Sequence, residues 1–133
     1  MGGCFDMLHF GHIEFLKQAK NSGSYLIVAL ESDENVRRRK GENRPIHTQE
    51  QRKHMVEALS FVDEVLLLPT MSTNEEYAQL VEKIQPSVIA VTEQDPYLSQ
   101  KQHQADLVGA LVIEIPKIHT PSTSQLAKLI GLE

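Results

Sequence analysis

The sequence is short of cysteine, of long apolar runs and of positive charge, and each shortage excludes a class of protein. Cys4 is the one cysteine among 133 residues, so no disulfide can form within the chain, and a reducing interior suits it. No apolar run approaches the roughly 18 to 20 residues that cross a bilayer as a helix. The first six residues lack the charged and apolar blocks of a signal peptide. A soluble, cytoplasmic protein with no membrane partner is expected. Thirteen basic against eighteen acidic side chains give a formal charge of −5, which argues against general attraction to nucleic acid. A local cluster of cations can still hold a small anion. Internal repeats, low-complexity tracts and linkers are also missing. The length suits a single domain over residues 1–133, and an apolar fraction of 41% can supply its core.

Short apolar runs mark four strands, at 25–30 (YLIVAL), 65–68 (VLLL), 88–91 (VIAV) and 111–115 (LVIEI). They are continuous rather than alternating, which suits a parallel sheet covered on both faces. Helical patterns fill the intervals. Ile13, Leu16 and Ala19 share one face over 11–20. Thr48 and Gln51 form a capping-box pair that opens a helix turning Met55, Val56 and Leu59 inward. Thr73 and Glu76 repeat the signature before a helix that Pro86 ends. Further helices are expected over 98–108 and after Pro121. The alternation predicts a doubly wound α/β fold, a parallel sheet with helices on both faces. Such a fold should open with a strand, yet few residues precede the first helix. Either Gly3 to Phe5 is a stub of it, or residues upstream of Met1 complete it; the second is favoured, because without a central strand two others lack a neighbour.

The strongest chemical signal is His9-Phe10-Gly11-His12, between a glycine-bearing turn and the first helix. A helix start offers backbone N–H groups and partial positive charge to a phosphate. Two histidines three residues apart can face one anion there, and Gly11 permits close approach of the bound group. Two ordinary histidines, or a metal site of Cys4, His9 and His12, are the rival readings of this segment alone. The basic run 37–40 is ordinary solvated surface apart from Lys40. Ser122-Thr123-Ser124 sits at a helix start, where one hydroxyl would cap and three could cradle a phosphate chain.

Gly3-Cys4-Phe5-Asp6-Met7-Leu8-His9-Phe10-Gly11-His12 resembles the G-x-F-D-x-x-H-x-G-H signature of the cytidylyltransferase-like nucleotidyltransferases. Ser32-Asp33, Val36 to Gly41, Arg44-Pro45 and Glu50-Gln51-Arg52 resemble that family's second-strand exit loop and following helix, and Ser122-Thr123-Ser124 its late serine-threonine motif. The resemblance implies a Rossmann-like fold of the HxGH type. It implies transfer of CMP or AMP from CTP or ATP to a small phosphorylated acceptor, such as glycerol 3-phosphate or a heptose 1-phosphate, with release of pyrophosphate. His9, His12, Lys40 and Arg52 would be catalytic. Gly2, Gly3, Cys4, Phe5 and Gly11 would line the nucleotide site, and Ser122, Thr123 and Ser124 would hold the leaving pyrophosphate. Asp6 and Asp95 would contact substrate. Mg²⁺ would accompany the triphosphate without a dedicated protein ligand, and the unit would be a homodimer. FAD synthesis from FMN and ATP is the alternative activity, and a catalytically silent nucleotide-binding domain the alternative class. Residues 92–97 (TEQDPY) lack the glycines usual at the acceptor loop, so acceptor identity stays open.

Overall fold

The computed structural model describes residues 2–117 and 128–131. Its elements run β1 (Gly2–Gly3), α1 (Phe10–Asn21), β2 (Ile27–Leu30), α2 (Asp33–Lys40), α3 (Gln49–Glu57), β3 (Glu64–Leu67), α4 (Asn74–Ile84), β4 (Val88–Thr92), α5 (Leu98–Val108) and β5 (Leu111–Ile115). All strand pairings are parallel, in two ladders ordered β1-β2-β3 and β4-β5. The expected doubly wound α/β architecture is therefore present.

Local chemistry sets the helix boundaries. Thr48 Oγ1 accepts from the Gln51 N–H at 3.2 Å while Gln51 Oε1 accepts from the Thr48 N–H at 3.0 Å, the reciprocal pair that the sequence predicts. Thr73 caps α4 by accepting from the Glu76 N–H, but the Glu76 carboxylate takes the Ser72 N–H and the Thr73 hydroxyl. α4 ends with Gln85 in the left-handed region at φ 53, one residue before Pro86, which disfavours helix in its predecessor. One element departs from expectation: the segment read as an exit loop after β2 is helix α2. Ser32 Oγ caps it from the Asn35 N–H at 3.2 Å. Asp33 and Glu34 lie in its first turn and Arg37 to Lys40 in its last, the charge order that the helix dipole favours.

One core unites the two ladders. Leu16, Val28, Leu30 and Val56 are each 0% exposed and cluster with Ala90 of β4 and Ile115 of β5. Burying each such side chain contributes about 1.5–3 kcal/mol. The opening strand is a two-residue stub, paired through Gly2 with Ala29 and Gly3 with Leu30. Between β2 and β4 lies a cavity of about 730 Å³, bordered by Gly2, Gly3 and Ala29 on one side and Ile89 and Ala90 on the other. Its upper rim, past the carboxyl ends of β2 and β4, carries Glu31, Arg39, Tyr77 and Tyr97. Open α/β sheets bind ligands outside the carboxyl ends of their strands, so the rim is the part of this cavity that suits a ligand, and the remainder is space beside the two-residue β1. No described helix is long and apolar enough to cross a membrane.

Candidate active site

The loop from β1 to α1 is tightly specified. Phe5 and Met7 both have positive φ, 49° and 58°, unusual for side-chain-bearing residues and costly unless the surroundings enforce it. Phe5 is buried, and its ring lies so close to Gly3 that a Cβ there would sit 2.7 Å from it. Glycine at position 3 thus leaves room for the Phe5 ring, which in turn packs beside His12 with ring centres 5.4 Å apart.

His9 and His12 open α1 as an interlocked pair. The Gly11 N–H donates to His9 Nδ1 at 3.1 Å, and the His9 N–H donates to His12 Nδ1 at 3.3 Å. The rings stack with centroids 4.0 Å apart. Burial, followed by the His9 and Lys40 charges, pushes His12 down to about 4. Burial also lowers His9. Both rings are neutral at pH 7, and a neutral imidazole that accepts at Nδ1 carries its proton on Nε2. The helix start therefore presents two fixed Nε2–H donors. That arrangement suits an anion whose charge grows during reaction, because fixed donors need no reorganisation.

Lys40 ends α2 as an exposed residue and lies close enough to depress His12. Cys4 is half-buried; burial raises its thiol against the opposing influence of Lys40 and Arg39, so it is protonated at neutral pH and not a nucleophile. Among the described residues no three His, Cys, Asp or Glu side chains converge to hold a metal. The rival site of Cys4, His9 and His12 does not assemble, and both Nδ1 atoms are already acceptors.

Three residues implied by the resemblance have partners within the chain. Asp6, 1% exposed, accepts from Arg44 Nε at 2.8 Å, the Ile46 N–H at 2.7 Å and the His47 N–H at 3.0 Å. Burial alone would raise its pKa, but these donors together lower it. Asp6 thus fastens the 44–47 segment to the loop that precedes α1. Arg52 is 0% exposed. Its Nε donates to His47 O at 3.2 Å, Nη1 to Cys4 O at 2.7 Å, and Nη2 to Glu31 O at 2.9 Å and Asp33 Oδ1 at 2.8 Å. Arg52 thus ties α3 to the ends of β1 and β2 with four of its five N–H donors, and a ligand contact would fall to the fifth. Arg52→Met is expected to cost about 3–5 kcal/mol of stability, since it abandons Asp33 and buried carbonyls; denaturant unfolding measures this, and unchanged stability with lost nucleotide affinity would return Arg52 to the site. Asp95, in the turn before α5, accepts from the Tyr97 N–H at 2.7 Å and from Lys101 Nζ. Ser122, Thr123 and Ser124 lie outside the described residues.

The sequence reading passed over the crevice rim. Glu31 is buried and accepts from Asn35 Nδ2 at 3.0 Å and from the Tyr77 hydroxyl at 3.0 and 3.1 Å. Burial, then Glu31, pushes Tyr77 up to about 12, so its hydroxyl stays protonated. A charged residue immediately after a buried strand was the available signal, since buried charges require partners.

A family model described as cytidylyltransferase-like matches residues 1–126. The FAD synthase of Thermococcus kodakarensis is 37% identical over 134 residues, an alignment that covers 98% of this chain and 87% of that protein. The bifunctional protein HldE of Campylobacter fetus subsp. fetus is 52% identical over 65 residues, covering 49% of this chain but 14% of that longer protein. The crystal structure of a lipopolysaccharide core biosynthesis protein from Thermoplasma volcanium shares the fold, with a TM-score of 0.69, 24% identity and coverage of 88% of this chain and 92% of that one. Matched along nearly its whole length and carrying an interlocked histidine pair at the first helix, this chain belongs to the cytidylyltransferase-like family of nucleotidyltransferases.

Proposed function

We propose that the chain transfers a nucleotidyl group from ATP or CTP to a small phosphate-bearing acceptor and releases pyrophosphate. The observation that carries this reading is the pair of Nε2–H donors at the start of α1, fixed by the bonds to both Nδ1 atoms. An oxygen of the acceptor phosphate attacks the α-phosphorus and forms the new P–O bond. The bond from that phosphorus to the bridging oxygen breaks, and pyrophosphate leaves with the electron pair. Such in-line transfer needs positioning and charge stabilisation more than covalent help. His9 and His12 would hold the phosphate chain and Lys40 would balance its charge. A divalent ion accompanying the triphosphate would take its ligands from phosphate oxygens and water, as Mg²⁺ commonly does. The resemblance extends the proposal to a homodimer.

Glycerol 3-phosphate and a heptose 1-phosphate are the acceptors that the resemblance implies. FMN is the second reading, favoured by the near full-length similarity to an FAD synthase. Pyrophosphate release should be measured with ATP and CTP crossed against these three acceptors. Release that requires both a nucleotide and one phosphorylated acceptor is expected, and the productive pair names the substrate. Nucleotide binding without release in any combination would favour a silent binding domain.

A further inference from the structure

Three rings stand in a row at the start of α1. His9 and His12 stack with centroids 4.0 Å apart and planes 29° from parallel. His12 also meets Phe5, with centroids 5.4 Å apart and planes tilted by 58°, within the range of favourable aromatic contacts. One end of the row is anchored and the other faces the site. Phe5 is 5% exposed and belongs to the main core cluster, with Phe15, Leu16 and Val28. The two Nδ1 bonds tie the imidazoles to backbone N–H groups of their own turn, whereas Phe5 connects His12 to the core.

Gly3 shows what that ring requires. It lies in the extended strand β1 without a positive φ, a conformation open to alanine. An added Cβ would meet Cε2, Cδ2 and Cζ of Phe5 at 2.7, 3.2 and 3.3 Å, its three nearest neighbours. At Gly2, by contrast, the nearest atom is Ala29 O at 3.7 Å, an ordinary contact. Position 3 is therefore small for the sake of one ring, and a ring held in a packed core yields little. Phe5 itself keeps a left-handed φ of 49°, which is costly for such a side chain. A strained backbone, a core anchor and a cleared path converge on one ring position.

We propose that Phe5 is a positioning residue for His12, and that Gly3 serves nucleotidyl transfer by admitting the Phe5 ring. This rests on the transfer reading above, and it gives the two residues a task other than lining the nucleotide site. The ring holds the imidazole at the angle that aims its Nε2–H at the phosphate chain. A misplacement of about 1 Å at such a group can cost about 10²-fold in rate. Burial is the first cause of the lowered His12 value, ahead of the charges that face it, His9 on its own loop and Lys40 on α2. Phe5 supplies part of that burial.

The test is a double-mutant cycle of Gly3→Ala and Phe5→Leu. Phe5→Leu should lower kcat roughly tenfold to a hundredfold, with the nucleotide KM changed less than about threefold. Gly3→Ala, which drives the ring aside, should cost a similar factor. The leucine lacks the Cε2 and Cζ atoms that the new methyl meets, so in the Phe5→Leu background Gly3→Ala should cost less than about threefold more. Independent losses, with the nucleotide KM raised by Gly3→Ala in both backgrounds, would place Gly3 against the nucleotide and overturn the proposal. A second arm needs no turnover. Long-range ¹⁵N spectra should show His12 titrating at higher pH in Phe5→Leu than in wild type, and exchanging between tautomers. If wild type releases no pyrophosphate with any nucleotide and acceptor, the transfer reading fails, and this arm still decides Phe5. An unchanged His12 titration and tautomer in Phe5→Leu, with only a lowered melting temperature, would make Phe5 a core side chain and overturn the proposal. Should Phe5→Leu fail to fold, Gly3→Ala carries the same spectra, and His12 signals identical to those of wild type would overturn it as well.

Discussion

Replacing His12 with alanine is expected to lower kcat by about 10² to 10³, the usual cost of removing one fixed donor from a developing anion. The size follows from the double duty of the ring. Its Nδ1 accepts the His9 N–H, so its loss also frees His9 from the position that aims the first donor. His9→Ala should cost a similar factor, and the double variant less than the product of the two, because the rings act as a unit. The pH dependence carries a further signature. With His12 near 4, no activity limb from its ionisation should appear around pH 6.5. The folded value lies below the unfolded one, so this group's share of stability is fully present above about pH 6.5 and is lost as pH falls toward 4. A rate profile with a histidine limb near 6.5 that vanishes in His12→Ala would show that the ring works as a cation.

Asp6→Ala is expected to cost about 3–5 kcal/mol of stability. Asp6 and Arg44 have side chains 0% and 1% exposed, and removing the carboxylate takes a charged partner from a buried guanidinium. The Ile46 and His47 N–H groups lose the same acceptor. Asp6→Asn should recover part of the loss, since it keeps an acceptor oxygen without the charge. The stability from Asp6 is present above the ordinary carboxylate range and disappears as pH drops through its lowered folded value, adding to the acid sensitivity from His12. Denaturant titration measures both variants. A stable Asp6→Ala protein with weakened acceptor binding would restore the substrate contact that the resemblance implies.

Much of the fold was legible because its signals are local. Apolar runs at 88–91 and 111–115 fall within β4 and β5, and the helix expected over 98–108 is α5 itself. The Thr48–Gln51 pair caps α3 as its spacing dictates. Helix α2 went unread because its apolar periodicity is nearly absent: Asn35 and Val36 are its buried residues, and capping with charge order carries the signal instead. The histidine pair was legible for the same local reason, since residues 9 to 12 close on each other within one turn. The buried networks were not. Asp6 meets Arg44 across 38 positions, Arg52 meets Cys4 across 48, and Tyr77 meets Glu31 across 46. Periodicity cannot encode such pairings, which join a charged residue inside a motif to a distant part of the chain.

Long-range ¹⁵N correlation spectra of the histidine side chains, recorded from pH 8 to pH 4 with and without ATP or CTP, test the central claim most directly. His9 and His12 should be neutral and protonated on Nε2 at pH 7, His12 should stay so until pH approaches 4, and both Nε2 resonances should move when nucleotide is added. Rings that titrate near 6.5, exchange between tautomers and ignore both nucleotides would contradict a preorganised phosphate site at the start of α1.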